Sequence, residues 1–165
     1  METNSLWFLE NIDVTSIFCP QKLGAGAMAK HTQKKYKKGE YIYIPNEHAD
    51  QIYFLSEGRV KIGAYGDGGN EITKAILTAG EVFGELSLIG EQKRRDFAYV
   101  METTTVCTIS VNEMKGLMRE HSGLQLFIMK IMGNRVLDME KKLESLVFRN
   151  SRTRIIEYLE NLAKR

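Results

Sequence analysis

Residues 51–65 have the sequence QIYFLSEGRVKIGAY, in which two runs of strand-forming residues flank the turn pair Glu57-Gly58. β-branched and aromatic residues dominate both runs, and a glycine at the turn permits a sharp reversal of the chain. Further runs of this kind, each bounded by turn residues, are Tyr41–Ile44, Glu71–Leu77 and Thr104–Ile109. Many short strands at such spacing predict an all-β barrel, sandwich or jelly roll.

The period of the hydrophobic pattern becomes helical after Ser110. Residues 110–113 (SVNE) have the spacing of a capping box, which predicts the start of a helix. Ser122 opens the same pattern again, and the helix that follows is predicted to run to about Arg149, a length on the order of 40 Å. Ser151 is predicted to cap a last helix.

Two apolar stripes run along the predicted long helix. The first has spacings of 3, 4, 3, 4 and 3 residues, an unbroken a/d seam of the kind that joins two parallel helices. Its members are Met129, Met132, Val136, Met139, Leu143 and Leu146. The second stripe, which is expected to cover the strands, consists of Leu124, Phe127, Ile128, Ile131 and Arg135. Both stripes would be core if one roll covered the helix on two faces. The length of the helix favours a self-associating seam, and thus a parallel homodimer.

Composition restricts the class of protein. The 165 residues suit a single domain, and 43% hydrophobic with 27% charged residues exclude a disordered chain. A net charge of +2 gives no general electrostatic case for nucleic-acid binding. Cys19 and Cys107 are too few for a disulfide framework or a cysteine-rich metal site. With no long apolar run and acidic residues near the N-terminus, the sequence indicates a soluble protein of a reducing, cytoplasmic compartment without a membrane partner.

An anion-binding motif is indicated by residues 79–89 (AGEVFGELSLI) and the basic run Lys93-Arg94-Arg95. A strand is expected to end before Gly84, where a short helical turn exposes backbone N–H groups and glycine lets an anion approach. An arginine about ten residues later can complete a phosphate clamp, and Glu85 can accept hydrogen bonds from a ribose hydroxyl. The basic stretch 30–38 is interpreted as a solvated face.

In their order along the chain, residues 38–62 and 80–88 resemble the cyclic nucleotide-binding domain, and the helices that follow resemble the sensor half of Crp/Fnr transcription regulators. The resemblance covers about residues 30–163. It implies a mainly β fold, a double-stranded β-helix or jelly roll, followed by a long dimerisation helix. The expected domains are an N-terminal helical segment (1–29), predicted from the amphipathic stretch SLWFLENIDVTSIF, a β-roll with a capping helix (30–121), the dimerisation helix (122–149), and the start of a linker or helix (150–165) leading to a winged helix-turn-helix domain absent from these residues.

The resemblance also implies an effector site. The residues it assigns to effector contact are Gly84, Glu85, Leu86, Ser87, Arg94, Arg95, Asp96, Met139 and Glu140. Counting forward from Gly84 gives Arg95 as the phosphate arginine, whereas counting back from the strand at 104–109 gives Arg94. The strand count is preferred because length changes occur in loops.

This sequence departs in two places from the pattern of the members that bind cyclic AMP. Asp96 would place a carboxylate beside the phosphate, where it is repulsive. Met139 and Glu140 stand where cyclic-AMP-binding members have the polar pair that contacts adenine, and Met139 also belongs to the seam. Three alternatives therefore stay open. The effector is a cyclic nucleotide such as cyclic AMP, it is another small anion, or the site binds no ligand.

Other cofactors find little support in the sequence. The iron–sulfur cluster of the Fnr branch needs four cysteines, and this chain has two. Some relatives bind haem, but His31, His48 and His121 are scattered and are interpreted as surface or loop residues. We therefore expect no metal site, and no catalytic residues.

The function predicted from the sequence is that of an allosteric sensor. The chain is expected to be the effector-sensing and dimerisation domain of a regulator that binds DNA through a C-terminal domain. The alternative is a cyclic nucleotide-binding module of a kinase or a channel. A cupin-type metalloenzyme is disfavoured because the sequence has no His-x-His spacing, and no Ser/His/Asp or Cys/His pattern suggests another enzyme.

Overall fold

The computed structural model describes residues 32–66, 68–148 and 151–163, so the predicted N-terminal helix lies outside the described residues. The strands within these ranges are β1 (Thr32–Tyr36), β2 (Tyr41–Tyr43), β3 (Gln51–Glu57), β4 (Arg59–Tyr65), β5 (Glu71–Thr78), β6 (Val82–Phe83), β7 (Phe97–Val100) and β8 (Thr104–Ser110). A 3₁₀ helix at Glu85–Ile89 follows β6. The α-helices are α1 (Val111–Glu120), α2 (Ser122–Phe148) and α3 (Ser151–Ala163).

The strands form two antiparallel four-stranded sheets. Their orders are β1-β8-β3-β6 and β2-β7-β4-β5, so most neighbours within a sheet are distant in sequence, as in a jelly roll. This confirms the predicted mainly β fold, a jelly roll followed by a long helix. The helix-rich part divides from the roll within α2, between Gln125 and Leu126.

Residues from both sheets form the hydrophobic core of the roll. Its buried residues are Tyr43, Tyr53, Leu55, Val60, Ile62, Leu77, Phe83, Ala98 and Val106. The predicted turn at Glu57-Gly58 joins β3 to β4, and Gly58 has a φ of 92°. A Cβ atom at this position would lie 2.3 Å from Oγ1 of Thr104, so only glycine fits.

Two strands were not predicted. β1 lies inside the basic stretch 30–38, and its first four side chains are exposed, as expected for a solvated face, yet it pairs with β8. β7 lies between β2 and β4, and three of its four residues are buried. Because side chains on both faces of β7 are buried, its sequence is a nearly continuous apolar run instead of an alternating pattern, so periodicity gave no signal for it.

The helices agree with the sequence pattern. Ser110 accepts a hydrogen bond from the backbone N–H of Glu113, whose carboxylate accepts one from the N–H of Ser110, so the predicted capping box caps α1. The two stripes of α2 differ as expected. The second stripe is buried at Leu124, Phe127, Ile128 and Ile131, whereas all the seam residues except half-buried Met132 are exposed.

Cys107 is buried on β8 and is disulfide-bonded. The other cysteine, Cys19, lies outside the described residues. In the part of the chain that the structure describes, no helix is both long enough and apolar enough to cross a membrane.

Candidate functional site

A tight turn connects β6 to the 3₁₀ helix. β6 pairs with β3, with Phe83 opposite Tyr53, and the chain then passes through Gly84 in the left-handed conformation (φ 78°). Oγ of Ser87 donates a hydrogen bond of 2.8 Å to the carbonyl of Gly84. Glu85 and Ser87 are buried, whereas Leu86 is exposed. The predicted strand, glycine and helical turn are therefore present in this order.

Arg94 folds back onto this turn. Its backbone N–H donates to the carbonyl of Glu47, and its carbonyl accepts from the N–H of Asn46, which fixes the segment beside the loop after β2. Its Nη1 group donates a hydrogen bond of 3.1 Å to the carbonyl of Gly84, and its Nη2 group donates to the carbonyl of Gln51. The side chain is almost fully buried, with 5% of Arg94 exposed.

Two aromatic rings lie against the guanidinium of Arg94. Its central carbon is 4.5 Å from the ring centroid of Tyr43 and 5.4 Å from that of Tyr53, within the range of cation–π attraction. Burial raises the pKa of Tyr53 above its ordinary value, and the positive charge of Arg94 acts in the opposite direction. Both tyrosines are therefore part of the electrostatic surroundings of this arginine.

Arg95 and Asp96 are engaged elsewhere. The exposed guanidinium of Arg95 pairs with the carboxylate of Glu91, four residues earlier. Asp96 forms an ion pair of 3.3 Å with Nζ of Lys74. The repulsion between Asp96 and a bound phosphate stays a prediction, and Lys74 is the cation that faces the Asp96 carboxylate in this structure.

Met139 and Glu140 are exposed residues of α2, in the unit that begins at Leu126, whereas the Gly84 turn and Arg94 belong to the roll. Within the roll, the structure brings together Gly84, Glu85, Ser87 and Arg94.

Sequence reasoning missed three residues at this site, Tyr43, Tyr53 and Gln51. They come from β2 and β3, and only the pairing of β3 with β6 brings Tyr53 beside the Gly84 turn. The alternation that identified these strands gave no sign that the two tyrosines face an arginine.

A surface cavity of about 420 Å³ borders this site, because Gln51 and Ser87 are among the residues that line it. Other lining residues include His48, Glu91 and Lys115, whereas Glu85 and Arg94 are not among them. His121 ends α1 as its C-terminal cap, and His31 lies outside the described residues. Among the residues that the structure describes, no three His, Cys, Asp or Glu side chains cluster in a way that could hold a metal ion.

Comparison with known proteins identifies the family of this fold. Residues 33–121 match the family model of the cyclic nucleotide-binding domain. The global nitrogen regulator of Synechocystis sp. is 30% identical over 126 residues, which cover 75% of this chain and 56% of the relative. The cAMP-activated global transcriptional regulator of Haemophilus influenzae is 28% identical over 79% of this chain and 58% of its own length.

A solved structure gives the same result for the fold. The catabolite activator protein of Thermus thermophilus superimposes with a TM-score of 0.65 and 25% identity, covering 72% of this chain and 55% of that one. The chain thus spans a little over half the length of the curated relatives it matches. It belongs to the cyclic nucleotide-binding domain family, and its relatives in that family are regulators of the Crp/Fnr group.

Proposed function

We propose that the chain is the effector-sensing and dimerising part of a transcription regulator of the Crp/Fnr type, working in the cytoplasm. The support is the family match together with the regulatory names of the relatives. Because the chain spans little more than half of those relatives, DNA contact is assigned to the part of their length that this chain does not share. A net charge of +2 agrees with a chain that has little attraction of its own for DNA.

The exposed seam of α2 is the observation that carries the proposal. Five of its six residues are more than half exposed, namely Met129, Val136, Met139, Leu143 and Leu146. An apolar row of this length on a helix surface marks an interaction site. A heptad seam pairs best with an identical seam, since each layer then sets like residues opposite each other, so the proposed partner is a second copy of the chain.

Effector binding is assigned to Arg94. Its buried guanidinium donates a hydrogen bond to the carbonyl of Gly84, the residue that precedes buried Glu85. A buried arginine needs anionic or carbonyl partners, and an anionic ligand is the partner that binds a guanidinium most strongly. The proposed effector is therefore a small molecule with an anionic group, a description that fits cyclic nucleotides and other small anions.

Sedimentation equilibrium on the whole 165-residue chain tests the proposal. We expect a dimer at tens of micromolar protein, because the seam is long enough for two or more heptads of paired layers. A chain that stays monomeric at this concentration would contradict the proposal, since the seam would then have no partner among copies of this chain.

A further inference from the structure

The guanidinium of Arg94 is held by its own chain. Two of its nitrogen groups donate to the carbonyls of Gly84 and Gln51, while its Nε group is buried and has no hydrogen-bond partner. Because a guanidinium has five N–H donors, these two bonds leave capacity for an anion, yet an anion must compete with carbonyls already in place.

Three aromatic rings, the aromatic cluster of Tyr43, Tyr53 and Phe83, pack beside this guanidinium. The ring of Tyr53 stacks on that of Phe83 with centroids 5.0 Å apart and 16° between the planes. The ring of Tyr43 lies 5.6 Å from Tyr53 and 6.2 Å from Phe83. Stacked and tilted pairs at these distances attract each other beyond the area they bury. The cluster and Arg94 therefore form one packed group inside the roll.

The packed group leaves little accessible surface on Arg94 and the side chains around it. Tyr43, Tyr53, Phe83, Glu85 and Arg94 are each exposed to 8% or less. A pocket for a nucleotide occupies several hundred cubic ångströms, and such a pocket would leave accessible surface on the side chains that line it. The site that Glu85 and Arg94 would form for a ligand is closed in this structure.

We propose that Tyr43 and Tyr53 are specificity-determining residues that keep cyclic nucleotides out of the Arg94 site. This inference rests on the proposed function, because it takes Arg94 as the effector ligand. The ring faces attract the guanidinium and hold it on the Gly84 and Gln51 carbonyls. The ring volumes occupy the interior beside it. A cyclic nucleotide carries a base and a ribose with its phosphate, so it reaches Arg94 only after the rings separate.

Calorimetric titration with cyclic AMP and cyclic GMP tests the inference on the whole chain. Wild type is expected to give no binding up to about 1 mM nucleotide. Tyr53→Ala and Tyr43→Ala, which open space beside the guanidinium, are each expected to bind at least one nucleotide with a Kd of about 100 µM or below, at least tenfold under the wild-type limit. Adding Arg94→Ala to either variant should remove the gain. The control Tyr65→Ala removes an exposed tyrosine and should behave as wild type.

Two results would overturn the inference. One is wild-type binding of either nucleotide with a Kd below about 1 mM, which would show that the tyrosines do not keep cyclic nucleotides out. The other is that neither Tyr53→Ala nor Tyr43→Ala binds cyclic AMP or cyclic GMP although both variants are folded. Sedimentation of the same samples tests dimerisation separately, so failure of the inference is distinguishable from failure of the proposed function.

A wild-type measurement covers the case in which the tyrosine variants do not fold. Phenylglyoxal modifies accessible guanidinium groups, and mass spectrometry of the digested chain locates the modified arginines. Arg95 is exposed and should react, whereas Arg94 should stay unmodified until the chain is denatured. Equal modification of the two arginines in the folded chain would show that the site is open and would overturn the inference.

Discussion

The roll buries its apolar residues, whereas the seam of α2 exposes them. Within the roll, Ile52, Leu55, Phe83 and Phe97 are among the largest side chains that are fully buried. Along the seam, residues of similar hydrophobicity, such as Leu143, are more than half exposed. Burying an apolar side chain stabilises a protein by about 1.5–3 kcal/mol. These residues of the roll are therefore buried within the chain itself, while the seam can gain this energy only from a partner.

The double variant Met132→Glu/Leu143→Glu tests the seam side of this comparison and has the largest expected effect. Two carboxylates in each copy would have to be desolvated in the dimer, so the dissociation constant should rise at least about a hundredfold. Sedimentation equilibrium measures the change.

The matched control is Ile72→Glu/Ile89→Glu, which introduces the same charges at two exposed apolar residues of the roll. This control should leave the dissociation constant unchanged, because these residues do not belong to the seam. Equal weakening by the two double variants would mean that added charge, and not the seam, controls association.

Arg94 and Arg95, which are neighbours in sequence, show the same contrast between a buried and an exposed position. Arg94→Ala should lower the free energy of unfolding by about 2–4 kcal/mol, because it removes two hydrogen bonds and leaves the Gly84 and Gln51 carbonyls without these buried donors. Arg95→Ala removes an exposed pair with Glu91 and should change it by less than about 0.5 kcal/mol. Urea denaturation of the two variants measures both values.

If the two arginine variants lost equal stability, the buried hydrogen bonds of Arg94 would not be what joins the Gly84 turn to β3. A loss of stability confined to Arg95→Ala would reverse the choice of Arg94 over Arg95. The forward count from Gly84 would then identify the functional arginine.

Local signals in the sequence predicted most of the fold. Alternation and a glycine turn identified β3 and β4, and a capping box located the start of α1 at Val111. The sequence also separated the buried stripe of α2 from its exposed seam, since 3- and 4-residue spacings place each stripe on one face. These features depend on residues that are close together along the chain.

The surroundings of Arg94 depend on pairings between distant residues, which local patterns do not carry. Gln51 lies 43 residues before Arg94 in sequence, and its carbonyl becomes a partner only when the sheet forms. Asp96 likewise meets Lys74 across 22 residues. Counting from β8 favoured Arg94 over Arg95, and the buried position of Arg94 agrees with that choice, but nothing in the sequence placed Tyr43 and Tyr53 on its guanidinium.

The most direct test of the account is a cysteine cross-link between two copies of the seam. In a parallel dimer, Met139 lies opposite its own counterpart, whereas Lys141 lies on the far side of the helix. Met139→Cys and Lys141→Cys would be oxidised with copper phenanthroline and compared with wild type on a non-reducing gel. We predict a covalent dimer for Met139→Cys alone. A covalent dimer formed equally by Lys141→Cys, or by neither variant, would contradict the parallel seam.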